Sequence, residues 1–332
     1  MNHRTIIVIT LLSIAVFTGL AVYGDFQESI GNVLSLHPGY WFGALGLTLV
    51  HIFIRLVRWH YYLNVLKIPV DPITSALVFL TGLSMIMVPG RLGELAKSYF
   101  LKQKVDTPIR LSAPVVITER VSDVISVLLL GTWGLIFIPF GWAVITITLM
   151  GIGVLLALLA TSKGVGLLVR LPPLRRWEPI LADSGRALRT LFSLKVTVIG
   201  LLLGSISWFT LGLAFWLVLD GLGSGVSIPN AVSILCATTL LGSVTMLPGG
   251  LVATEGSMLL LLQRVGMGSS LASAAILVIR ICTLWFAVLL GLVALFLLQR
   301  YQRPHARIPE SSFTRSTGAT LLESEMVGDP GN

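Results

Sequence analysis

The chain has 332 residues, of which 55% are apolar and 11% charged, and its net charge is +8. A soluble domain carries about 25% charged residues, so this composition excludes an ordinary soluble globular protein. In a chain built of membrane-type segments, excess Lys and Arg marks the cytoplasmic side and contacts anionic lipid headgroups, and does not point to nucleic acid.

The first apolar run, 5–23, follows Arg4 and is not followed by a small-x-small cleavage pattern. It is expected to remain as a first span with the N-terminus inside. Residues 24–39 hold Asp25 and Glu28 and no Lys or Arg, and form an outer loop. Span 40–61 returns to the inner side, with Arg55, Arg58 and Lys67 toward its end and Trp41, Trp59, Tyr61 and Tyr62 at its two ends, as interfacial belts require. Arg55 and Arg58 are expected to snorkel to the interface beside Trp59, with His51 and His60 structural or interfacial. Segment 73–88 is too short for a comfortable span, stops at Pro89-Gly90, and is followed by 92–101 and a loop with Lys102, Lys104 and Arg110. Both ends of this pair lie on the inner side, which predicts a re-entrant helical hairpin. Span 112–138 leads out and span 142–160 leads back in.

The stretch 161–195 is the most basic in the chain and is placed in the cytoplasm, where it would lie against anionic lipid. Within it, 179–194 reads either as a short surface helix or as a plain connector. Span 196–219 goes out to a loop with Asp220. Segment 229–247 breaks at Pro248-Gly249-Gly250, 254–265 follows, and span 270–298 returns to Arg300 and Arg303. The tail from 304 is polar, without apolar periodicity, and is expected to be disordered.

The two Pro-Gly breaks are 159 residues apart (248 − 89). Each half then has three spans with a hairpin before the third, and an odd span count turns the second copy upside down. The charge bookkeeping, which is independent of the repeat, gives hairpins entering from opposite sides. The fold class expected is therefore an all-α polytopic membrane bundle of two inverted-topology repeats, 1–138 and 139–300, with a cytoplasmic tail 301–332. Such architecture is shared by transporters whose site lies near the bilayer midplane.

The helix breaks at Pro89, Gly90, Pro248, Gly249 and Gly250 free backbone groups that hydrocarbon cannot satisfy, so they must be buried in protein or line a wet cavity. Glu94 and Glu255 follow them, either as ligand-site carboxylates or as caps of their own half-helices, with Thr254 as a further cap for the second. Arg91, beside the first break, suits a phosphate clamp or an internal ion pair. Glu119, Arg120 and Asp123 lie well inside a span, with Arg120 able to pair Asp123 at i+3. Three unpaired charges at mid-bilayer would cost on the order of 8–10 kcal/mol. They must face the protein interior or water, as a structural ion-pair network or as a headgroup or proton site. Arg280 in the matching span is a candidate partner for Glu119 or Glu94. Cys236 and Cys282 read as packing residues, and no metal or cofactor motif is present.

Pro89-Gly90-Arg91-Leu92-Gly93-Glu94, Glu119-Arg120-Val121-Ser122-Asp123, Pro248-Gly249-Gly250-Leu251 with Glu255, Arg280, and Arg58-Trp59 resemble the flippase-like membrane domain of lysylphosphatidylglycerol synthase, the multiple peptide resistance factor. The resemblance covers roughly residues 5–300; it departs at Val252-Ala253-Thr254, where the family has Gly-Val and reaches its Glu sooner. It implies movement of an anionic, aminoacyl- or glyco-phospholipid between leaflets of a prokaryotic inner membrane, with both termini cytoplasmic. No counterpart of the family's soluble aminoacyl-transfer domain is seen, so lipid lysylation is not implied. The alternatives are a glycosyl- or phospho-transferase acting on a polyprenol-linked lipid, or an accessory protein of such a pathway. Against the transferase stand the lack of an Asp-x-Asp cluster and a loop 161–195 too short for a catalytic domain, so no enzymatic activity is expected.

Overall fold

The computed structural model describes residues 26–86, 94–136, 187–245 and 250–301, with position 185 and scattered positions between 142 and 154. The expected first span, Pro89, Gly90, Arg91, Pro248, Gly249, most of span 142–160, most of the basic loop and nearly all of the tail lie outside the described residues. Residues Met1–Arg300 form one unit and Tyr301–Asn332 a second; the elements below belong to the first.

Every described element is helical. Helix α1 is Phe26–Ser35. Helix α2, Pro38–Val65, starts with Pro at its first position and with the His37 side chain accepting from the Gly39 N–H at 3.1 Å. Helix α3, Pro72–Leu83, repeats the device: Asp71 accepts from the Thr74 N–H at 3.1 Å and Pro72 supplies the preset dihedral. Helix α4 is Ala96–Val105, closed by Asp106 in the left-handed conformation, and α5 is Ile109–Ile136. In the second half come α6, Leu194–Gly221, α7, Ile228–Val244, and α8, Ala253–Arg264. Helix α9, Ser269–Arg280, runs through a π-helical turn, Ile281–Trp285, into α10, Phe286–Arg300.

Among the described residues, three helical runs are long and apolar enough to cross a membrane: Pro38–Val65, Leu194–Gly221 and Ser269–Arg300. Burial runs opposite to that of a soluble protein. Phe53 on α2, Leu202 and Ile206 on α6, and Leu292 and Phe296 on α10 are exposed, whereas Arg55, Arg58, Glu94, Lys97, Glu119, Asp123 and Glu255 are buried. An apolar outside around a charged inside is what a hydrocarbon solvent selects.

Helix α2 lies along α6, α7 packs on α5, and α3 packs on α10. Backbones come together at small residues. A Cβ on Gly131 of α5 would meet backbone atoms of Cys236 and Ala237 on α7, and a Cβ on Gly291 of α10 would meet backbone of Leu83 and Ser84 at the end of α3. Such approaches favour dispersion contacts between helices where water supplies no hydrophobic drive.

The structure differs from the sequence reading in places. The outer loop 24–39 contains α1, whose Ser29 is buried and donates to the Ser270 carbonyl at 3.4 Å. The expected single span 270–298 carries the π-helical turn directly after Arg280. Thr254 is no cap: α8 is capped at Val252, whose φ is +72°, without a side-chain cap bond. Gly250 also holds a positive φ of 70°, which glycine adopts without a Cβ clash.

Candidate functional site

Helix α2 brings Arg55 and Arg58 inward. The short turn before α4 and its first residues bring Glu94 and Lys97, and the middle of α5 brings Glu119, Arg120 and Asp123. All meet in one cluster. Asp123 Oδ1 accepts from Arg58, and its Oδ2 lies 2.7 Å from Arg120 Nη2 and 3.5 Å from Arg55 Nη2. Arg120 also reaches Glu94 Oε2 at 2.9 Å, with Arg55 at 3.9 Å from the same oxygen. Lys97 Nζ donates to Glu119 Oε2 at 2.7 Å and sits 3.6 Å from Glu94 Oε2. The Lys97 ammonium also lies over the rings of Trp59 and Phe79, at 4.7 and 5.0 Å from their centroids. Its stem packs where Gly82 has no side chain.

Four cations (Arg55, Arg58, Lys97, Arg120) face three carboxylates (Glu94, Glu119, Asp123) in this cluster. Most are shut away, but the Arg120 side chain retains 22% exposure, the largest share in the cluster. A second, separate pair joins Arg280 of α9 to Glu255 of α8 at 2.7 Å, with Arg280 12% exposed and Glu255 1%.

Both sets border one cavity of about 110 Å³. Arg55, Glu94 and Arg120 line it from the first half and Arg280 from the second; Thr48, His51, Thr239, Thr254 and Thr283 add polar atoms, and Ile52, Leu83, Trp208, Leu235 and Met258 add apolar wall. His51 is held by Ser207, with Nδ1 at 2.8 Å from the hydroxyl and 2.9 Å from the carbonyl, and meets Trp208 edge-on at 5.6 Å. Apolar wall with a few convergent charged groups is the make-up of a ligand site.

Of the residues singled out in the sequence, Glu94, Glu119, Arg120 and Asp123 fall in the first cluster, Glu255 and Arg280 form the second pair, and Gly250 lies in the turn before α8. Arg91, Pro89, Gly90, Pro248 and Gly249 lie outside the described residues. Two expectations are corrected. Arg55 and Arg58 do not snorkel: both are buried and pair with Asp123, because α2 continues to Val65 and carries them deeper than an end at residue 61 implies. Arg280 pairs with Glu255, not with Glu119 or Glu94. Lys97 was missed, although its i,i+3 spacing from Glu94 on one helix face was available as a signal. Among the described residues no group of three or more His, Cys, Asp or Glu is set to hold a metal ion, and Cys236 and Cys282 are buried and unbridged.

The family described as the lysylphosphatidylglycerol synthase transmembrane region matches residues 7–291. Among curated proteins, a UPF0104 membrane protein of Methanocaldococcus jannaschii is 26% identical over 232 residues, 64% of this chain and 93% of that protein. Another UPF0104 membrane protein, from Methanothermobacter thermautotrophicus, is 26% identical over 122 residues, 36% of each chain. No solved structure matches.

Proposed function

We propose that the protein carries a lipid between leaflets, from the premise that the chain belongs to the lysylphosphatidylglycerol synthase transmembrane-region family. The observation that carries this reading is the cavity. It lies among membrane-type helices, has a partly apolar wall, and offers Arg55, Arg120 and Arg280 from two halves of the chain. Guanidinium groups in such a place suit the phosphate of a lipid headgroup, and the apolar wall suits the start of its chains. The ligand we assign is a membrane phospholipid or polyprenol-linked lipid with a net negative headgroup. Its two-sided access would come from an inverted repeat in the cell membrane, with both termini and the basic loop on the cytoplasmic side.

Three features support the repeat. Element lengths run 28, 12, 10 and 28 residues for α2 to α5, then 28, 17, 12 and 32 for α6, α7, α8 and Ser269–Arg300. Packing is reciprocal: the first hairpin helix of each half lies on the last span of the other, and α2 on α6 joins like to like. Side chains recur too, since Arg120 to Arg280 and Gly131 to Gly291 are both separated by 160 residues (280 − 120 and 291 − 131). Helix α3, about 18 Å long, falls short of a core of about 30 Å, in keeping with a re-entrant hairpin.

The test is reconstitution into vesicles with headgroup-matched fluorescent phosphatidylglycerol, phosphatidylcholine and glycolipid probes, read by quenching of the outer leaflet. Protein-dependent movement of the anionic probes is expected, slowed about tenfold or more by Arg120→Ala. No movement across the panel, or product formation from a polyprenol-phosphate sugar by the purified protein, would sink the carrier reading.

A further inference from the structure

We propose that the proton is a second substrate of this cavity, taken up on Glu255 when an anionic headgroup binds Arg280. The inference rests on the carrier reading above. Glu255 is 1% exposed and Arg280, at 2.7 Å, is its only charged partner among the described residues. Neither carboxylate oxygen has a well-aligned hydrogen bond among them. The helices packed against α8 are α7 and α9. Cys236 is the one titratable side chain on α7 and Arg280 the one on α9, while α8 itself adds Arg264 at its far end. Across the cavity stand His51, Arg55, Glu94 and Arg120.

Arg280 lines the cavity and Glu255 does not, so a headgroup meets the guanidinium from the open side while the carboxylate holds it from behind. The fork has donors enough for two anions, but its single charge neutralises one. A phosphodiester arriving there leaves the Arg280–Glu255 pair with one negative charge in excess, faced by the first cluster's surplus cation only across the cavity, and an unpaired charge in a buried site is strongly disfavoured. A proton from solvent, added to the Glu255 carboxylate, restores neutrality and breaks no other bond. The first cluster has no such need: with four cations to three carboxylates it accepts one anionic headgroup on its own surplus charge. The two ends of the path therefore differ, proton-free loading at Arg120 and proton-linked loading at Arg280.

The experiment is titration calorimetry of the full chain in detergent with short-chain phosphatidylglycerol, in two buffers of different ionisation enthalpy, between about pH 5.5 and 8.5. The expected result is net proton uptake that reaches up to one per protein at saturating lipid, carried by lipid held at Arg280, since lipid held at Arg120 takes up none; it is absent in Glu255→Gln, which binds about tenfold tighter than wild type at the alkaline end. Absence of proton uptake even at saturating lipid, or uptake undiminished in Glu255→Gln, overturns the inference and leaves the carrier reading standing. Should Glu255→Gln fail to fold, the wild-type proton count decides alone. Failure of every anionic probe to bind or to move in vesicles would remove the carrier reading and this inference together.

Discussion

Lys97 is the residue whose removal tests how tightly the first cluster is coupled. Its ammonium is the partner that the structure gives Glu119, which is fully buried. Lys97→Met keeps the stem that packs against Gly82 and the rings of Trp59 and Phe79, but strands that carboxylate. Breaking one side of a buried pair costs about 3–5 kcal/mol, so a marked fall in the thermal midpoint in detergent is expected. The double variant with Glu119→Gln should recover much of it, and a loss equal to the sum of the singles would show that the two side chains are not coupled. What the sequence revealed at this scale was that Glu119, Arg120, Asp123 and Arg280 lie inside long apolar runs, where a charge is conspicuous; Lys97, on the short and polar α4, was not singled out. The sequence did not reveal the partners of these charges. Arg55 and Arg58 sit near the end of an apolar run, where snorkelling is the cheaper local option, and only the extension of α2 to Val65 takes that option away.

At the scale of helices, apolar run length and Pro-Gly interruptions were enough to locate α2, α3 and α5 to α8 and the run that holds α9 and α10, while α4 lies a turn later than expected and takes in Lys102 and Lys104; both signals reflect backbone hydrogen bonding in a solvent without water. The π-helical turn was not legible: Ile281-Cys282-Thr283-Leu284-Trp285 is ordinary membrane-helix composition, and the extra backbone residue answers to packing around it. Glycines show the same division. Gly131 and Gly291 were not distinguishable in the sequence from Gly256, which has open space around its Cβ position. Gly131→Leu and Gly291→Leu would each drive a side chain into backbone of a neighbouring helix, which cannot swing aside. Overpacking of this kind costs about 1–3 kcal/mol, and unfolding in detergent should show it for both. Gly256→Ala, inside α8, is expected to raise stability by about 0.5–1 kcal/mol through helix propensity alone. Equal tolerance at all three positions would contradict the close helix contacts described above.

For the whole molecule, the positive-inside count and the repeat length both follow from the bilayer, which is why they converge on one topology from sequence alone. Packing of α3 on α10 and of α7 on α5 was not readable, because lipid-like and helix-like surroundings select the same apolar side chains. The topology makes a sided claim. On the proposed inverted repeat, helices α3 and α4 are expected to begin and end toward the cytoplasm, and α7 and α8 toward the outside. Lys102 near the end of α4 and Val265 just past α8 are both exposed, so a single cysteine at either is reachable. In a Cys236→Ser, Cys282→Ser background, Lys102→Cys should react with a membrane-impermeant maleimide only after the membrane is opened, and Val265→Cys should react in intact cells. Reaction of both from the same side would leave the reciprocal packing intact but turn it into a parallel duplication. Arg120 and Arg280 would then open toward one leaflet, and a path between leaflets could no longer run through the cavity they share.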